Sequence, residues 1–458
     1  MKVKTIFILF FQIILFFFQM IKTQASTLDK IPGKYISDKN FIPMTLQTPT
    51  QNTKLFAAPK GHGKTCTLTN PCTLSTGISR LKAGYTLYLH GGEYNVGKGI
   101  TIEKKGKPTG YIIISSVPGQ RAIITSECNK SSGKSCDEIT LFNFEADSSY
   151  IIIENLTFKN ARARIIQGIV FYGGGQHHII IRNNEFNSLK AIQKEVKEDY
   201  EANGILLVGE GKTSTAAIKN IIIYKNKLLN NVLGYSEAIS ILGNCENIYV
   251  LNNTLKSNTN IGIDFNGNTN DCKTANLDQP RNSVAMYNYI ENSKASYDDC
   301  AGLYVDGAKD IYLFGNTVVD SQFGIEIGAE EIKHKNYITN IIVENNKLEG
   351  NTITGIRVGG YKQSRLSVKN TVFRKNKITK SSTSIIISKV DGVTFEENEI
   401  YDAKKYFIEM EFDESNTKNL KIEKNTFSGT GNFKMYGSQK NILSLKQFVN
   451  KYNTNKIK

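Results

Sequence analysis

The stretch IIIRNNEF, residues 179 to 186, contains the pattern that decides the fold of this chain. Alternating apolar residues are followed by an asparagine, one spacer residue and another apolar residue. Similar copies are IIIYKNKL (221 to 228), YVLNNTL (249 to 255), YLFGNTV (312 to 318), IIVENNKL (341 to 348), TVFRKNKI (371 to 378), VTFEENEI (393 to 400) and LKIEKNTF (420 to 427). With AMYNYI (285 to 290), the copies place asparagine at positions 184, 226, 253, 288, 316, 346, 376, 398 and 425. The related IIIENLTF (151 to 158) has Leu156 at this position.

The spacing of these copies, from 22 to 42 residues, indicates a repeat architecture. Short strands at this interval without helical periodicity predict a parallel β-solenoid. A β-propeller is the main competing fold, but its blades need antiparallel strands and two-residue hairpins, whose signals are scarce here. Asparagine tolerates left-handed backbone and can hydrogen-bond its equivalent in the next coil. We therefore predict an all-β solenoid of about ten coils with an internal asparagine ladder.

The segments outside the repeats differ from them in composition. Residues 1–25 combine lysines, an apolar run and a Thr-Gln-Ala ending, which is typical of a secretory signal peptide; a membrane anchor is the alternative. Residues 26–60 are polar, proline-dotted and aperiodic, which predicts a flexible N-terminal lead-in. We predict one β-helix domain over residues 61–440, capped by a short helix within TLSTGISRLKAG (73 to 84), and a C-terminal cap and tail over 441–458.

The charge of the chain bears on its partners. The formal net charge is +15, and removing the three lysines of residues 1–25 leaves about +12. A secreted basic protein meets acidic polymers such as polyuronates or sulfated glycans more naturally than nucleic acid. No later segment is apolar enough to span a membrane, so we predict a secreted monomer with no membrane or nucleic-acid partner. The sequons at Asn129, Asn155 and Asn252 are candidate glycosylation sites.

The seven cysteines are compatible with disulfides in a secreted chain. The natural pairs by position are Cys66 with Cys72, Cys128 with Cys136, and Cys272 with Cys300, which leaves Cys245 over. None of the spacings is typical of a zinc site.

A second repeat follows each asparagine turn and consists of a small residue, an apolar residue, a variable residue and another apolar residue. Side chains alternate along a strand, so the variable residue points outward when its apolar neighbours fill the core. Stacked coils lie about 4.8 Å apart, so these variable residues form one column on an outer face. Aligned on GILL (204), AISI (238), GIDF (262), GLYV (302), GIEI (324), GIRV (355) and SIII (384), the column contains Leu206, Ser240, Asp264, Tyr304, Glu326, Arg357 and Ile386.

The middle of this column is rich in acids. Glu237 precedes the AISI strand, and Asp306 lies two residues beyond Tyr304. Like charges on adjacent coils cost stability, so the cluster predicts a bound cation, a basic partner or shifted pKa values. The alternative is a solvated charged face.

The segment 267–282 overhangs the same region and contributes Asp278 and Arg281. Arg281 and Arg357 are the two basic residues nearest to the acidic cluster in the repeat pattern. Each is either part of a functional site or a structural counter-ion of the acids.

The capped repeats, the stretch TLSTGISRLKAGYTLYLHGGEY (73 to 94) and the GIDFNG region (262 to 267) resemble the secreted right-handed parallel β-helix proteins of the pectate-lyase-like superfamily. The stretch 73–94 is similar to the capped first coil of the family-nine pectate lyases. This resemblance implies that Asp264 matches the last aspartate of a calcium-binding motif and that Glu237 is the acid one coil earlier. At the position of the family's catalytic lysine, this sequence has Tyr304, and Arg357 restores a basic residue two coils further on.

Together the patterns and the resemblance predict an extracellular lyase that cleaves an acidic, uronate-containing glycan. Asp264, Glu237 and Asp306 would bind Ca²⁺, which acidifies the proton next to the uronate carboxylate. Arg357, or else Arg281, would take that proton or stabilise the enolate, with electrostatic stabilisation the better role for arginine.

Two other functions remain open at the level of sequence. One is a glycoside hydrolase that uses the carboxylates of Glu326 and either Asp264 or Asp306, with Tyr304 and Asp278 binding the substrate. The other is a non-catalytic glycan-binding or surface protein.

Overall fold

The structure is a computed structural model that describes residues 30–45, 47, 49, 53–126, 136–191, 200–330, 333–359, 368–411, 414–435, 442–444, 446–448 and 456–457. The predicted signal peptide of residues 1–25 lies outside these ranges. Within them, no helix is both long and apolar enough to cross a bilayer.

Three long sheets run along the molecule because each coil adds one strand to each sheet. The first sheet comprises β1 (Thr53–Ala57), β2 (Tyr85–Leu89), β5 (Ile112–Ser116), β8 (Ser149–Glu154), β12 (His177–Arg182), β16 (Ile218–Tyr224), β19 (Cys245–Leu251), β22 (Ser283–Met286), β25 (Ile311–Phe314), β28 (Ile338–Thr339), β29 (Ile342–Glu344), β32 (Val368–Arg374), β35 (Val390–Glu396), β38 (Thr417–Lys418) and β39 (Lys421–Glu423). The second comprises β3 (Gly92–Asn95), β6 (Ala122–Thr125), β9 (Thr157–Lys159), β13 (Glu185–Asn187), β17 (Lys227–Leu229), β20 (Thr254–Lys256), β23 (Tyr289–Glu291), β26 (Thr317–Val319), β30 (Lys347–Glu349), β33 (Lys377–Thr379), β36 (Glu399–Tyr401), β40 (Thr426–Ser428) and β43 (Lys456–Ile457).

The third sheet comprises β4 (Gly99–Ile102), β7 (Glu138–Phe144), β11 (Ile165–Gly173), β15 (Glu201–Gly209), β18 (Glu237–Gly243), β21 (Ile261–Asn266), β24 (Ala301–Asp306), β27 (Phe323–Gly328), β31 (Thr354–Val358), β34 (Thr383–Ile387), β37 (Tyr406–Met410), β41 (Asn432–Lys434) and β42 (Ile442–Leu443). A small sheet pairs β10 (Arg162–Ala163) with β14 (Lys190–Ala191). Neighbouring strands pair in parallel throughout the long sheets, except that β42 is antiparallel to β41. The inward residues of all three long sheets form one continuous core from Leu55 to Phe448.

The predicted asparagine ladder is confirmed. The amide nitrogen of Asn184 donates to the side-chain oxygen of Asn226 at 3.1 Å, and the same bond recurs coil after coil until Asn398 donates to Asn425 at 2.8 Å. All nine asparagines are buried in one column, where each side chain also donates to a backbone carbonyl. The amide of Leu156, which replaces asparagine in the first copy, donates to Asn184.

The ladder asparagines differ from the prediction in their backbone. They do not adopt the left-handed conformation; the residue before each of them does, as at Asn183, Lys225 and Gly315. The left-handed conformation of the turn therefore falls on the preceding residue, and the asparagine contributes its side-chain hydrogen bonds.

Both ends of the core are covered. Helix α1 (Leu74–Arg80) lies within the predicted front cap; the Thr73 hydroxyl accepts from the Thr76 amide, and Leu74 and Ile78 are buried. At the back, Phe448 stacks on Phe433 with 3.8 Å between ring centroids. Much of the predicted tail over 441–458 lies outside the described residues.

Residues 30–45, here called the strap, differ from the predicted flexible lead-in. Ile31, Tyr35 and Phe41 are buried on the outer face of the first sheet, where the rings of Tyr35 and Tyr312 stack 5.7 Å apart. The hydroxyl of Tyr249 donates to the Tyr35 carbonyl at 2.8 Å. The outer face of this sheet is apolar where the strap crosses it. The apolar side chains of the strap therefore pack against it although the segment has no periodic pattern. The β-helix itself begins at Thr53, before the predicted start at residue 61.

The cysteines follow the predicted pairing only in part. Cys66 and Cys72 form a disulfide, and Cys136 is disulfide-bonded, although its predicted partner Cys128 lies outside the described residues. The predicted bond between Cys272 and Cys300 is wrong: both are free and buried, as is Cys245. The two thiols bond to different parts of the chain: Cys272 donates to the Gly211 carbonyl, and Cys300 donates to the Gln322 side chain.

Candidate functional site

The predicted column is present on the third sheet. Asp264 pairs in register with Ser240 on one side and Tyr304 on the other, and the register continues through Glu326 to Arg357. Their sequence neighbours, among them Ile263, Leu303, Ile325 and Ile356, lie in the main core. Alternation along the strands therefore directs the column away from the core, as predicted.

The column is nevertheless hidden from solvent. Asp264, Tyr304 and Glu326 are each 1% exposed and Arg357 is 9% exposed. Loops that leave the third sheet fold back over its outer face: the Asn268 amide donates to the Asp278 carbonyl, and the Glu330 amide donates to the Asp306 carboxylate at 3.0 Å. The site is thus an array of buried carboxyl groups under loops, rather than an open charged face.

Burial controls the protonation of Glu326. Burial raises its pKa to about 8, since the attraction of Arg357 only partly offsets the loss of solvation and Glu330 adds repulsion. The Arg357 Nε lies 3.5 Å from the Glu326 Oε1, which is longer than a strong charge-assisted hydrogen bond. Glu326 is therefore protonated at neutral pH.

Asp264 and Asp306 influence each other. Burial raises the pKa of Asp264 well above its usual range, and the Asp306 charge raises it further. Burial likewise raises the pKa of Asp306, together with the charges of Glu330 and Glu326. Asp306 accepts hydrogen bonds from the Glu330 amide and from the Asn266 side chain at 3.1 Å, whereas Asp264 Oδ1 has no hydrogen-bond partner among the described residues. Both carboxyl groups therefore hold a proton more strongly than a solvated aspartate does.

Glu237 is a carboxyl at the start of the preceding strand. It accepts hydrogen bonds from the Ser240 and Ser236 hydroxyls. Burial raises its pKa to about 7, although the hydrogen bond from the Ser240 hydroxyl partly offsets this rise. Its Oε2 atom thus accepts both bonds within its own coil.

The calcium site predicted at Asp264, Glu237 and Asp306 stays a prediction. No group of three or more His, Cys, Asp or Glu side chains is arranged for a metal within the described ranges. Glu237 accepts from serine hydroxyls and Asp306 from two N–H donors, while the charges of both act on Asp264.

The two predicted basic residues have separate surroundings. Arg357 lies between Glu326 and Glu411, whose Oε2 is 3.6 Å from its Nη2, and over the ring of Phe323. Arg281 is apart from the column: it pairs with Glu246 of the first sheet at 3.1 Å. The prediction that Arg281 belongs to the same site is therefore not supported by its position.

Asp278 has a structural position. Its carboxylate accepts hydrogen bonds from the amides of Asn270 at 2.7 Å and Cys272 at 2.9 Å, and it is fully buried. These bonds fix the 267–282 loop from within, and the substrate-binding role of Asp278 stays a prediction.

A pocket beside the column was not found by sequence reasoning. It measures about 560 Å³ and is lined by Ala295, Ser296, Tyr297, Asp298, Asp299, Gln322 and Glu330. The charges of Asp298, Asp299 and Glu330 act on the buried Glu326, which places the pocket next to that carboxyl. The run Tyr297-Asp298-Asp299 in the insertion before the GLYV strand was the available signal.

Comparisons with known proteins agree with this architecture. The family model for the right-handed beta helix region matches residues 281–448. The uncharacterized protein YwoF of Bacillus subtilis (strain 168) is 28% identical over 318 residues, a match that covers 68% of this chain. The chain spans 64% of the length of that relative.

Solved structures share the fold at low identity. GH136 lacto-N-biosidase from Eubacterium ramulus has a TM-score of 0.51 and 12% identity, covering 82% of this chain and 67% of that one. A mannuronic acid specific polysaccharide family 6 lyase from human gut microbiota has a TM-score of 0.48 at 14% identity, covering 89% and 91%. PfbA, a surface adhesin of Streptococcus pneumoniae, has a TM-score of 0.49 at 14% identity, covering 79% and 86%.

The chain therefore has the right-handed parallel β-helix fold. This fold supports more than one chemistry, so the reaction has to be argued from the site.

Proposed function

We propose that the protein is an extracellular, carbohydrate-active enzyme that hydrolyses glycosidic bonds with inversion, using Glu326 as general acid and Asp306 as general base. The observation behind this proposal is the pair of buried carboxyl groups on adjacent coils, beside a pocket of about 560 Å³. The predicted signal segment supports the extracellular location.

Glu326 has the properties of a general acid. It is buried, its pKa is about 8, and it lies next to the pocket that holds Asp298 and Asp299. A carboxylic acid that keeps its proton at neutral pH can give that proton to the leaving glycosidic oxygen.

Asp306 is the candidate base. It lies one coil before Glu326 and two residues further along the strand, in register with Gly328. Strand rise and coil spacing then separate the two side chains by about 8 Å, within the range that leaves room for a water molecule in inverting enzymes. The alternative base Asp264 is two coils from Glu326, or about 10 Å.

The electrostatics favour hydrolysis over the predicted β-elimination. Among the described residues, the pocket lining includes three acids and no Lys, Arg or His, which opposes the binding of a polyuronate. Over residues 201–330 there are 9 Lys and Arg against 15 Asp and Glu, a net charge of −6. Both predicted basic residues lie beside carboxylates, Arg357 beside Glu411 and Arg281 beside Glu246. A neutral or cationic glycan suits this site better than an acidic one.

The proposal is tested by incubating the purified protein with a panel of neutral glycans, chitosan and polygalacturonate. We expect new reducing ends from a neutral or cationic glycan without the ultraviolet absorbance of an unsaturated uronate. Glu326→Gln and Asp306→Asn should each lower the rate at least about 100-fold.

Asp320→Asn is the matched control, because Asp320 is an exposed acid at a left-handed turn that asparagine tolerates, away from the column. Unsaturated products would replace the proposal by a lyase. Unchanged hydrolysis in Glu326→Gln would remove that residue from the mechanism.

A further inference from the structure

A second pocket lies on the first sheet, on a different face of the β-helix from the carboxyl column. It measures about 460 Å³ and forms between the strap and the coils beneath it. Tyr111, Tyr150 and His178 contribute its aromatic wall, and the strap contributes Asp38 and Asn40. Gln47 also borders it.

Two residues of the aromatic wall have a left-handed backbone, at a position where the following coils have asparagine, aspartate or glycine. Tyr150 and His178 occupy successive places in a column of left-handed residues that precede the first-sheet core positions. In the following coils, residues suited to that conformation take the same place: Asn220, Asn247, Asn282, Asp310, Asn340, Asn370, Gly392 and Asn419. Tyr150 has φ 53° and His178 has φ 54°, values at which bulky side chains are strained.

These two strained residues are next to each other and face the pocket. Their rings stack with centroids 4.8 Å apart, and Tyr111, one coil earlier in the same column, meets Tyr150 edge to face at 5.5 Å. Strained backbone conformations persist where the surroundings hold them and often mark ligand sites. Asparagine would fit the turn better; the rings instead pack against the strap, where Phe41 meets the His178 ring edge to face at 5.0 Å, and line the pocket.

The polar groups around the rings define the class of ligand. The Asp38 carboxylate is already engaged by His178 at 3.2 Å and by the Asn40 amide at 2.8 Å. The side chains of Asn40 and Gln47 are exposed at the rim, and no Lys or Arg is found among the residues lining the pocket that the structure describes. Aromatic edges and faces together with amide donors and acceptors, without a free charge of either sign, suit the hydroxyl groups and apolar faces of a sugar.

We propose that this pocket binds a neutral sugar unit of a glycan, as a site separate from the carboxyl column. Its residues lie on the first sheet and the strap, whereas Glu326 and Asp306 lie on the third sheet. Binding here would hold a long glycan on the protein without taking part in bond cleavage, so this site and the hydrolase proposal can fail independently.

The test measures binding of cellohexaose, maltohexaose and the hexamer of N-acetylglucosamine, with hexagalacturonate as the charged comparison. Calorimetry is performed in a Glu326→Gln background, so that cleavage does not consume the probe. We expect at least one neutral hexamer to bind, and Tyr150→Asn to weaken that binding at least tenfold. Because asparagine is the residue that the neighbouring coils use at this place, the thermal midpoint of Tyr150→Asn should stay the same or rise.

A second variant keeps the test valid if Tyr150→Asn folds poorly. Asn40→Ala removes an exposed side chain at the rim while keeping the backbone amide that bonds to Asp38, and it should also weaken binding of the same hexamer. Asn432→Ala, an exposed asparagine on β41, is the matched control and should leave binding unchanged.

Two results would overturn the proposal. One is that no neutral hexamer binds, or that those that bind do so equally well in Asn40→Ala and Tyr150→Asn. The other is a lower thermal midpoint in Tyr150→Asn with binding intact in Asn40→Ala, which would show that the aromatic wall only anchors the strap.

Discussion

At the scale of single residues, the site is governed by what burial does to carboxyl groups. Glu326 and Asp264 are outward in the sense of strand alternation, yet they are 1% exposed. Losing water raises the pKa values of both, whereas a solvated face would have left them ionised. Their chemical role therefore depends on the loops above them.

The pH dependence of stability follows from Glu326. Its pKa is about 8 in the folded protein and near 4.5 in the unfolded chain. Between these values the unfolded chain has lost a proton that the folded protein keeps, so the free energy of unfolding falls as pH rises from about 4.5 to 8. In Glu326→Gln this contribution is absent, and the drop in thermal midpoint between pH 5.5 and pH 8 should be smaller by a few degrees.

Thermal unfolding of both proteins followed by circular dichroism measures this difference. Asp320→Asn, which removes an exposed acid, should keep the pH slope of the unaltered protein. Identical slopes for Glu326→Gln and the unaltered protein would contradict the assigned pKa.

At the scale of structural elements, the asparagine ladder holds the coils in register. Asn316 is fully buried, donates to Asn346 at 3.0 Å and to the Ala285 carbonyl at 2.9 Å, and accepts from Asn288. Each coil depends on its neighbours in this way, so a defect in one turn exposes unsatisfied groups in two others.

Replacing Asn316 with alanine should lower the free energy of unfolding by about 2 to 4 kcal/mol, because buried donors and acceptors on both sides lose their partners. Denaturant unfolding measures the loss. Lys227→Ala, which removes an exposed side chain on the second sheet, should change stability by less than about 0.5 kcal/mol. Equal effects of the two substitutions would show that the ladder is dispensable.

At the scale of the whole molecule, charge is segregated along the chain. Residues 331–458 contain 23 Lys and Arg against 13 Asp and Glu, a net charge of +10, whereas residues 201–330 carry −6. The overall charge of +15 therefore does not describe the environment of the carboxyl column. A polyanion is attracted to the basic coils and repelled by the acidic ones.

We expect polygalacturonate to bind at low ionic strength without being cleaved. Binding should weaken steeply between about 50 and 300 mM NaCl, because the contacts involve exposed lysines that salt screens. It should be unaffected by Glu326→Gln. Affinity electrophoresis at the two salt concentrations measures this, and appearance of unsaturated uronate products would contradict it.

The sequence by itself determined the coiled fold, the asparagine column and the order of the outward residues. These features are local and periodic: alternation along a strand fixes which side chains face the core, and one turn pattern per coil fixes the stacking. The tertiary structure decided what those residues do, because the paths of the covering loops depend on contacts between residues far apart in sequence. Those paths bury Glu326 and Asp264, separate Arg281 from Arg357, keep Cys272 from Cys300, and lay the strap over the first sheet. A spacing pattern contains no information on solvation, and solvation sets the protonation of the site.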